Sequence, residues 1–97
     1  MDEITLRLND KNQGGFFIFE GEEKVAEMII SISGTALTVY HTEVIPSAEG
    51  RGLAKKLLAH MVDYARKHGL KVIPLCPYVH AQFKRHPAEY ADLWKEE

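Results

Sequence analysis

A single cysteine, Cys76, is found among the 97 residues. One thiol cannot form an internal disulfide, so the fold is not a cross-linked scaffold. A reducing compartment is expected, with the thiol either packed as a small hydrophobe or used chemically. Excess positive charge is also lacking: 12 Lys and Arg stand against 14 Asp and Glu, a formal net charge of −2. Nucleic-acid binding draws on a basic face, and this total does not supply one. No apolar run approaches the roughly 18–20 residues of a membrane span. The start, Met1-Asp2-Glu3-Ile4-Thr5, is acidic and has no apolar signal core. A cytoplasmic protein without nucleic-acid or membrane partners is expected. Repeats, low-complexity tracts and linkers are absent too. What is present, 45% hydrophobic and 27% charged residues, is the composition of an ordinary globular domain. The length does not hold two cores, so residues 1–97 are expected to form one domain. Its stability margin is thin, which leaves room for a ligand or a second subunit to contribute.

The first half reads as strands. Thr5 to Asn9 alternates and is followed by the turn Asn9-Asp10-Lys11-Asn12-Gln13-Gly14-Gly15. Gly15 to Glu20 is rich in aromatic and β-branched residues. Val25 to Ser33 places Ala26, Met28, Ile30 and Ile32 on one face at period 2. Ala36 to Ile45 makes a fourth strand, with Leu37, Val39, His41, Glu43 and Ile45 read as facing one way. From Leu53 the period becomes helical: Leu53, Ala54, Leu57, Leu58, Met61, Val62 and Ala65 share a stripe. Cations and then Gly69 end that helix. Leu70 to Leu75 is a fifth strand, and Pro74, lacking an N–H, places it at an edge or splays it. A short helix follows from Tyr78 to about His86, then a final turn with Leu93 and Trp94. The order β-β-β-β-α-β-α predicts an α+β fold. Its sheet is mixed and mostly antiparallel, of about five strands, with a parallel β4-α-β5 unit and helices on both faces.

Glu49-Gly50-Arg51-Gly52-Leu53-Ala54 joins a strand to the strong helix. Such a junction exposes unpaired amides at the positive end of the helix dipole, where anions and diphosphates bind. The loop is either that or an ordinary glycine-rich turn. A Rossmann fingerprint needs glycine where Lys55 stands, and a P-loop needs Gly-Lys-Ser/Thr; neither is found.

In this setting the loop and helix resemble the acetyl-CoA-binding motif of the GNAT N-acetyltransferases, Arg/Gln-x-x-Gly-x-Gly/Ala. Gly52 and Ala54 match its last two marked positions, and Glu49 stands where Arg or Gln is usual. The chain is most similar to the small single-domain GNAT-like proteins of about 100 residues. The matching segments are His41-Thr42-Glu43-Val44, Pro74-Leu75-Cys76-Pro77 and Arg85-His86-Pro87-Ala88-Glu89-Tyr90. The resemblance implies a truncated GNAT fold that binds acetyl-CoA. It implies pantetheine pairing with the backbone of Val44 and Ile45, and pyrophosphate held by Arg51, Gly52, Leu53, Ala54 and Lys55. Lys84 is a further candidate contact to the cofactor. Full GNAT domains carry an N-terminal helical segment and extra C-terminal strands. Here the cofactor half is expected with a short acceptor half, which suits a large acceptor such as a protein amine, or a cleft completed by another subunit.

Four residues are candidates for chemistry. Cys76, between Pro74 and Pro77, either takes part through its thiol or only packs. Glu43 and His41 either serve as base toward an acceptor ammonium or form a polar network. By the resemblance, Tyr78 is placed to protonate the departing CoA thiolate. The five histidines show no ligand spacing among themselves, and no metal is expected. Two functional classes remain: an N-acetyltransferase acting on an unidentified amine, or a CoA-binding or sensing module without turnover.

Overall fold

The computed structural model describes residues 3–95. Met1 and Asp2 of the acidic start, and Glu96 and Glu97, lie outside the described residues. The elements are β1 (Glu3–Leu8), β2 (Gln13–Glu20), β3 (Glu23–Ser33), β4 (Ala36–Val44), a 3₁₀ turn (Pro46–Ala48), α1 (Leu53–Lys67), β5 (Lys71–Pro74), α2 (Pro77–Arg85) and α3 (Pro87–Tyr90). They form one sheet in the order β1-β2-β3-β4-β5. The first four strands pair antiparallel, and β5 runs parallel to β4. The mixed, mostly antiparallel five-stranded sheet and its β4-α1-β5 unit are therefore as read from the sequence.

Local chemistry sets the turns. The Asn9 side chain accepts hydrogen bonds from the amides of Lys11 (2.8 Å) and Gln13 (3.0 Å), closing the β1–β2 turn. On β3, Ala26, Met28 and Ile30 alternate into the core opposite Phe16 and Ile18 of β2. The apolar stripe of α1, including Leu57, Met61 and Ala65, covers them. The buried residues form one continuous cluster that extends through Val79 and Phe83 of α2 to Leu93.

Two expectations are corrected. Helices were expected on both faces, but α1, α2 and α3 share one face. Leu58 and Val62 of α1 line a groove with Gln82 of α2, His86 between α2 and α3, and Tyr90 of α3. Among the described residues no side chain on the opposite face is buried: Phe17, Ile29, Ser31 and Ile73 are half-buried, and Tyr40 and His41 are exposed. The physical reason is that α2 follows β5 directly from Cys76, whose core-facing side chain starts the helix on the side of α1.

The second correction concerns the phase of β4. Ile30 pairs with Val39 and Ile29 with His41, which leaves Tyr40 as an extra residue in a bulge. Leu37 and Val39 face the core before it. After it the core-facing positions are Thr42 and Val44, opposite Met28 and Ala26, while His41 and Glu43 turn to the open face.

The outer side of β5 is not bare. The Val72 amide donates to Leu93 O (2.8 Å) and the Lys95 amide to Val72 O (2.9 Å), so Leu93–Lys95 lies parallel along this edge. Arg66 fixes that tail, with Nε donating to Asp92 Oδ2 at 3.0 Å and a terminal nitrogen to Glu89 O at 2.8 Å. No helix among the described residues is long and apolar enough to cross a membrane.

Phe83 is fully buried and stacks on Tyr90 with ring centroids 4.6 Å apart, joining α2 to α3 and the tail. Phe83→Ala is expected to destabilise the domain by about 3–5 kcal/mol, measured as a lowered midpoint in urea unfolding.

Candidate active site

The site begins where β4 and β5 part. Their ladder ends at Val39 and Pro74, and the last bond between the two segments is from the Cys76 amide to Val39 O, 2.8 Å. The Leu75 amide, next in line to bond Val39 O, turns back to Ile73 O at 3.1 Å around Pro74, and the Tyr40 bulge turns β4 at the same level. The Ile45 amide donates to Val25 O at 3.0 Å. Antiparallel alternation therefore directs the backbone groups of Glu43 and His41 toward β3, and those of Thr42 and Val44 toward the opening. Among the described residues, no backbone hydrogen bond meets Thr42 or Val44 on that side. Ile45, expected to pair with pantetheine, has both groups engaged internally, because its carbonyl also accepts from the Ala48 amide at 2.9 Å.

The opening runs onto the start of α1. Gly50 and Gly52 have φ of 84° and 74°, a region costly for residues with a Cβ. No side chain caps the helix, and its first turn carries no acidic residue. The first helical bond is from the Lys56 amide to Gly52 O at 3.1 Å, which leaves the amides of Leu53, Ala54 and Lys55 outside the ladder. Beside them lies a groove of about 410 Å³ lined by Val44, Ala48, Glu49, Gly50, Gly52, Leu53, Ala54, Lys55 and Tyr78. Free amides, the dipole end and Lys55 together suit an anionic ligand. The Arg51 guanidinium is engaged with Glu20, so only its backbone faces this task directly. Lys84 is exposed on α2 and does not line the groove.

Of the two candidate residues that follow β5, Tyr78 lines this groove and Cys76 is packed in the core. Cys76 is 1% exposed, with Sγ 3.4 Å from Thr42 Oγ1. Tyr78 is half-buried in the groove wall; burial, and secondarily the charge Cys76 would carry, push its phenol above the ordinary tyrosine range. It therefore keeps its proton through neutral pH.

On the open face, His41 Nε2–H donates to Glu27 Oε2 at 2.9 Å. Glu27 also accepts from the Lys24 ammonium, which lies 5.3 Å from the Phe17 ring centroid. The Lys24 bond, opposed by burial and aided by His41, lowers the Glu27 pKa below its ordinary value. With Nε2–H given to Glu27, the lone pair of a neutral His41 ring is on Nδ1. Glu43 is directly across from Glu27 in the β3–β4 register. One ligating atom from each of Glu27, His41 and Glu43 falls within 4.8 Å of the others. Sequence reading missed Glu27, which comes from a different strand. Its place on the polar phase of β3, between Ala26 and Met28, was the available signal.

Splayed parallel strands thus place unpaired strand backbone beside an uncapped helix start. The chain belongs to the GCN5-related N-acetyl-transferase family, whose model matches residues 15–93. Solved structures agree. A protein described as GCN5-like from Staphylococcus aureus, solved by NMR, is 26% identical with a TM-score of 0.70, over 98% of this chain and 89% of that one. The ribosomal-protein-S18-alanine N-acetyltransferase of Escherichia coli shares the fold at TM-score 0.60 and 22% identity, over 66% of this chain and 42% of its own. The ribosomal-protein-alanine N-acetyltransferase of Brucella melitensis biovar Abortus 2308 does so at 0.64 and 18%, over 78% and 64%. This chain thus spans less than two thirds of either enzyme. No curated protein sequence matches it.

Because the Glu27 pKa is lowered on folding, its stabilising effect is complete above the ordinary value of 4.5 and is lost as pH falls through the folded value. Glu27→Gln should cost on the order of 0.5–1 kcal/mol at pH 7. Urea titrations of both proteins should show that gap narrowing as pH falls below 4.5.

Proposed function

We propose that the protein is an N-acetyltransferase that binds acetyl-CoA in the β4–β5 opening and acetylates a primary amine approaching over the open face. The observation that carries this reading is that Val44, which with Thr42 has unpaired backbone along the opening, lines the same groove as the free amides of Leu53, Ala54 and Lys55. An extended pantetheine offers amides to the first set, and a pyrophosphate accepts from the second. Gly52 supports the approach, since nothing lies within 4 Å of where its Cβ would be. When bound, acetyl-CoA supplies an activated acyl group.

The remaining roles fall to side chains. His41, oriented by Glu27, has a lone pair to take a proton from an acceptor ammonium, and Glu43 adds negative charge that attracts it. Tyr78, protonated at neutral pH, holds a proton for the departing sulfur. The burial of the Cys76 thiol against Thr42 favours direct transfer over a relay through cysteine. The uncovered sheet face accommodates a large acceptor, such as a protein lysine or N-terminus.

Calorimetry with acetyl-CoA should show one site per chain, and ligand at about 100 times its Kd should add about 2.7 kcal/mol of stability. Ala54→Glu places a carboxylate among the free amides and should weaken binding about tenfold or more at unchanged fold. No binding by the parent protein would overturn the proposal.

With acetyl-CoA and a panel of amines, CoA release should fall by about 10²-fold in Tyr78→Phe with little change in cofactor affinity. Cys76→Ser should retain turnover. Binding without CoA release for any amine would instead identify a CoA-binding module.

A further inference from the structure

We propose that Glu27, His41 and Glu43 form a binding site for a divalent transition-metal ion of the Zn²⁺ type on the open face of the sheet. Three kinds of observation converge on it. The first is geometric. The three side chains project from adjacent, hydrogen-bonded strands, with Glu27 opposite Glu43 and His41 one residue pair further along the same face. Their ligating atoms already lie within 4.8 Å of one another. Zn–N and Zn–O bonds of about 2.0–2.2 Å in a tetrahedron require donors roughly 3.3 Å apart. Torsions of the His41 and Glu43 side chains, both on exposed residues, close the difference without moving backbone.

The second observation is a charge conflict. Like charges directly opposite each other on a sheet are destabilising, and Glu27 faces Glu43 in just this way. Lys24 engages Glu27 alone. Among the described residues, Glu43 forms no ion pair. A dication balances both carboxylates at once.

The third is the donor set. Two carboxylates and an imidazole supply three donors of the kinds zinc takes, His nitrogen and Glu oxygen. An imidazole ligand disfavours Ca²⁺ and Mg²⁺, which take oxygen. On binding, the hydrogen bond from His41 to Glu27 gives way to coordination by a neutral ring, and the Lys24 ammonium moves to solvent. Coordination uses the groups that would meet an acceptor ammonium, so metal and acceptor exclude one another. The site itself needs no acetyl-CoA, and its test is independent of the acetyl-transfer reading.

The test is calorimetric titration of untagged, chelator-treated protein with ZnCl₂ at pH 7, with NMR of the histidine rings. One ion per chain is expected, with the His41 resonances shifting in the first equivalent. Loss of an outer-shell partner typically costs 10–100-fold in metal affinity. His41→Ala and Glu43→Gln, which remove ligands, should each lose at least about tenfold. His86→Ala, on the helix side of the sheet, should bind like the parent. Circular dichroism verifies that each variant is folded. Absence of a stoichiometric site in excess Zn²⁺, or parental affinity in His41→Ala, would overturn the proposal.

Discussion

The separation of β4 from β5 beyond Val39 is the constraint on which the rest of the molecule depends. A continuous parallel ladder would occupy the backbone of Thr42 and Val44, and the sheet edge would have nothing to offer a ligand. Two local features prevent it. β5 turns back on itself at Pro74, where the Leu75 amide donates to Ile73 O, and the Tyr40 bulge redirects β4 at the same level. Unpaired backbone in an interior would be costly, but here it borders a groove open to solvent and ligand. A capacity for recognition is thus left by an interruption in secondary structure.

The start of α1 extends the same logic. Most helices receive an Asp, Ser or Thr cap, yet Gly52 in a left-handed conformation precedes this one and no side chain bonds to its amides. Lys55 in the first turn adds charge that opposes the dipole. Both choices weaken an isolated helix, and both favour an anion at that end. The helix is held instead by its buried stripe, with Leu53, Leu57 and Met61 almost wholly inaccessible, so its first turn is free to serve binding.

Much of this was legible in the sequence because period and punctuation are local. The alternation of Ala26, Met28 and Ile30, the stripe of α1 and the stop at Gly69 each have a short-range cause. The glycine loop pointed to the uncapped start of α1, and the segments around His41, Cys76 and His86 pointed to the family that residues 15–93 match. Two things required three dimensions. The side on which α2 lies depends on how the chain leaves β5, and Cys76 and Pro77 do not reveal that by type. Glu27 joins His41 only through the β3–β4 register, which brings together side chains 14 positions apart.

The bulge at Tyr40 did have a signal in the sequence, in the form of a conflict. Strict alternation through β4 sends His41 and Glu43 to the same side as Leu37 and Val39. That side is packed against α1, and a charged group there would need a partner that the apolar helix stripe does not contain. It would also send Val44 away from Ala26. No single phase buries Leu37, Val39 and Val44 while exposing both His41 and Glu43, so one residue must drop out of the ladder. Tyr40 can do so at little cost, since its ring rests on the open face and its hydroxyl lies 2.7 Å from Ser31 Oγ. That single displaced residue turns the polar groups outward to the open face. It also ends the pairing with β5 at the level where the opening toward α1 begins. The two halves of the site therefore share one structural cause, and neither could be kept if Tyr40 were threaded back into a regular strand.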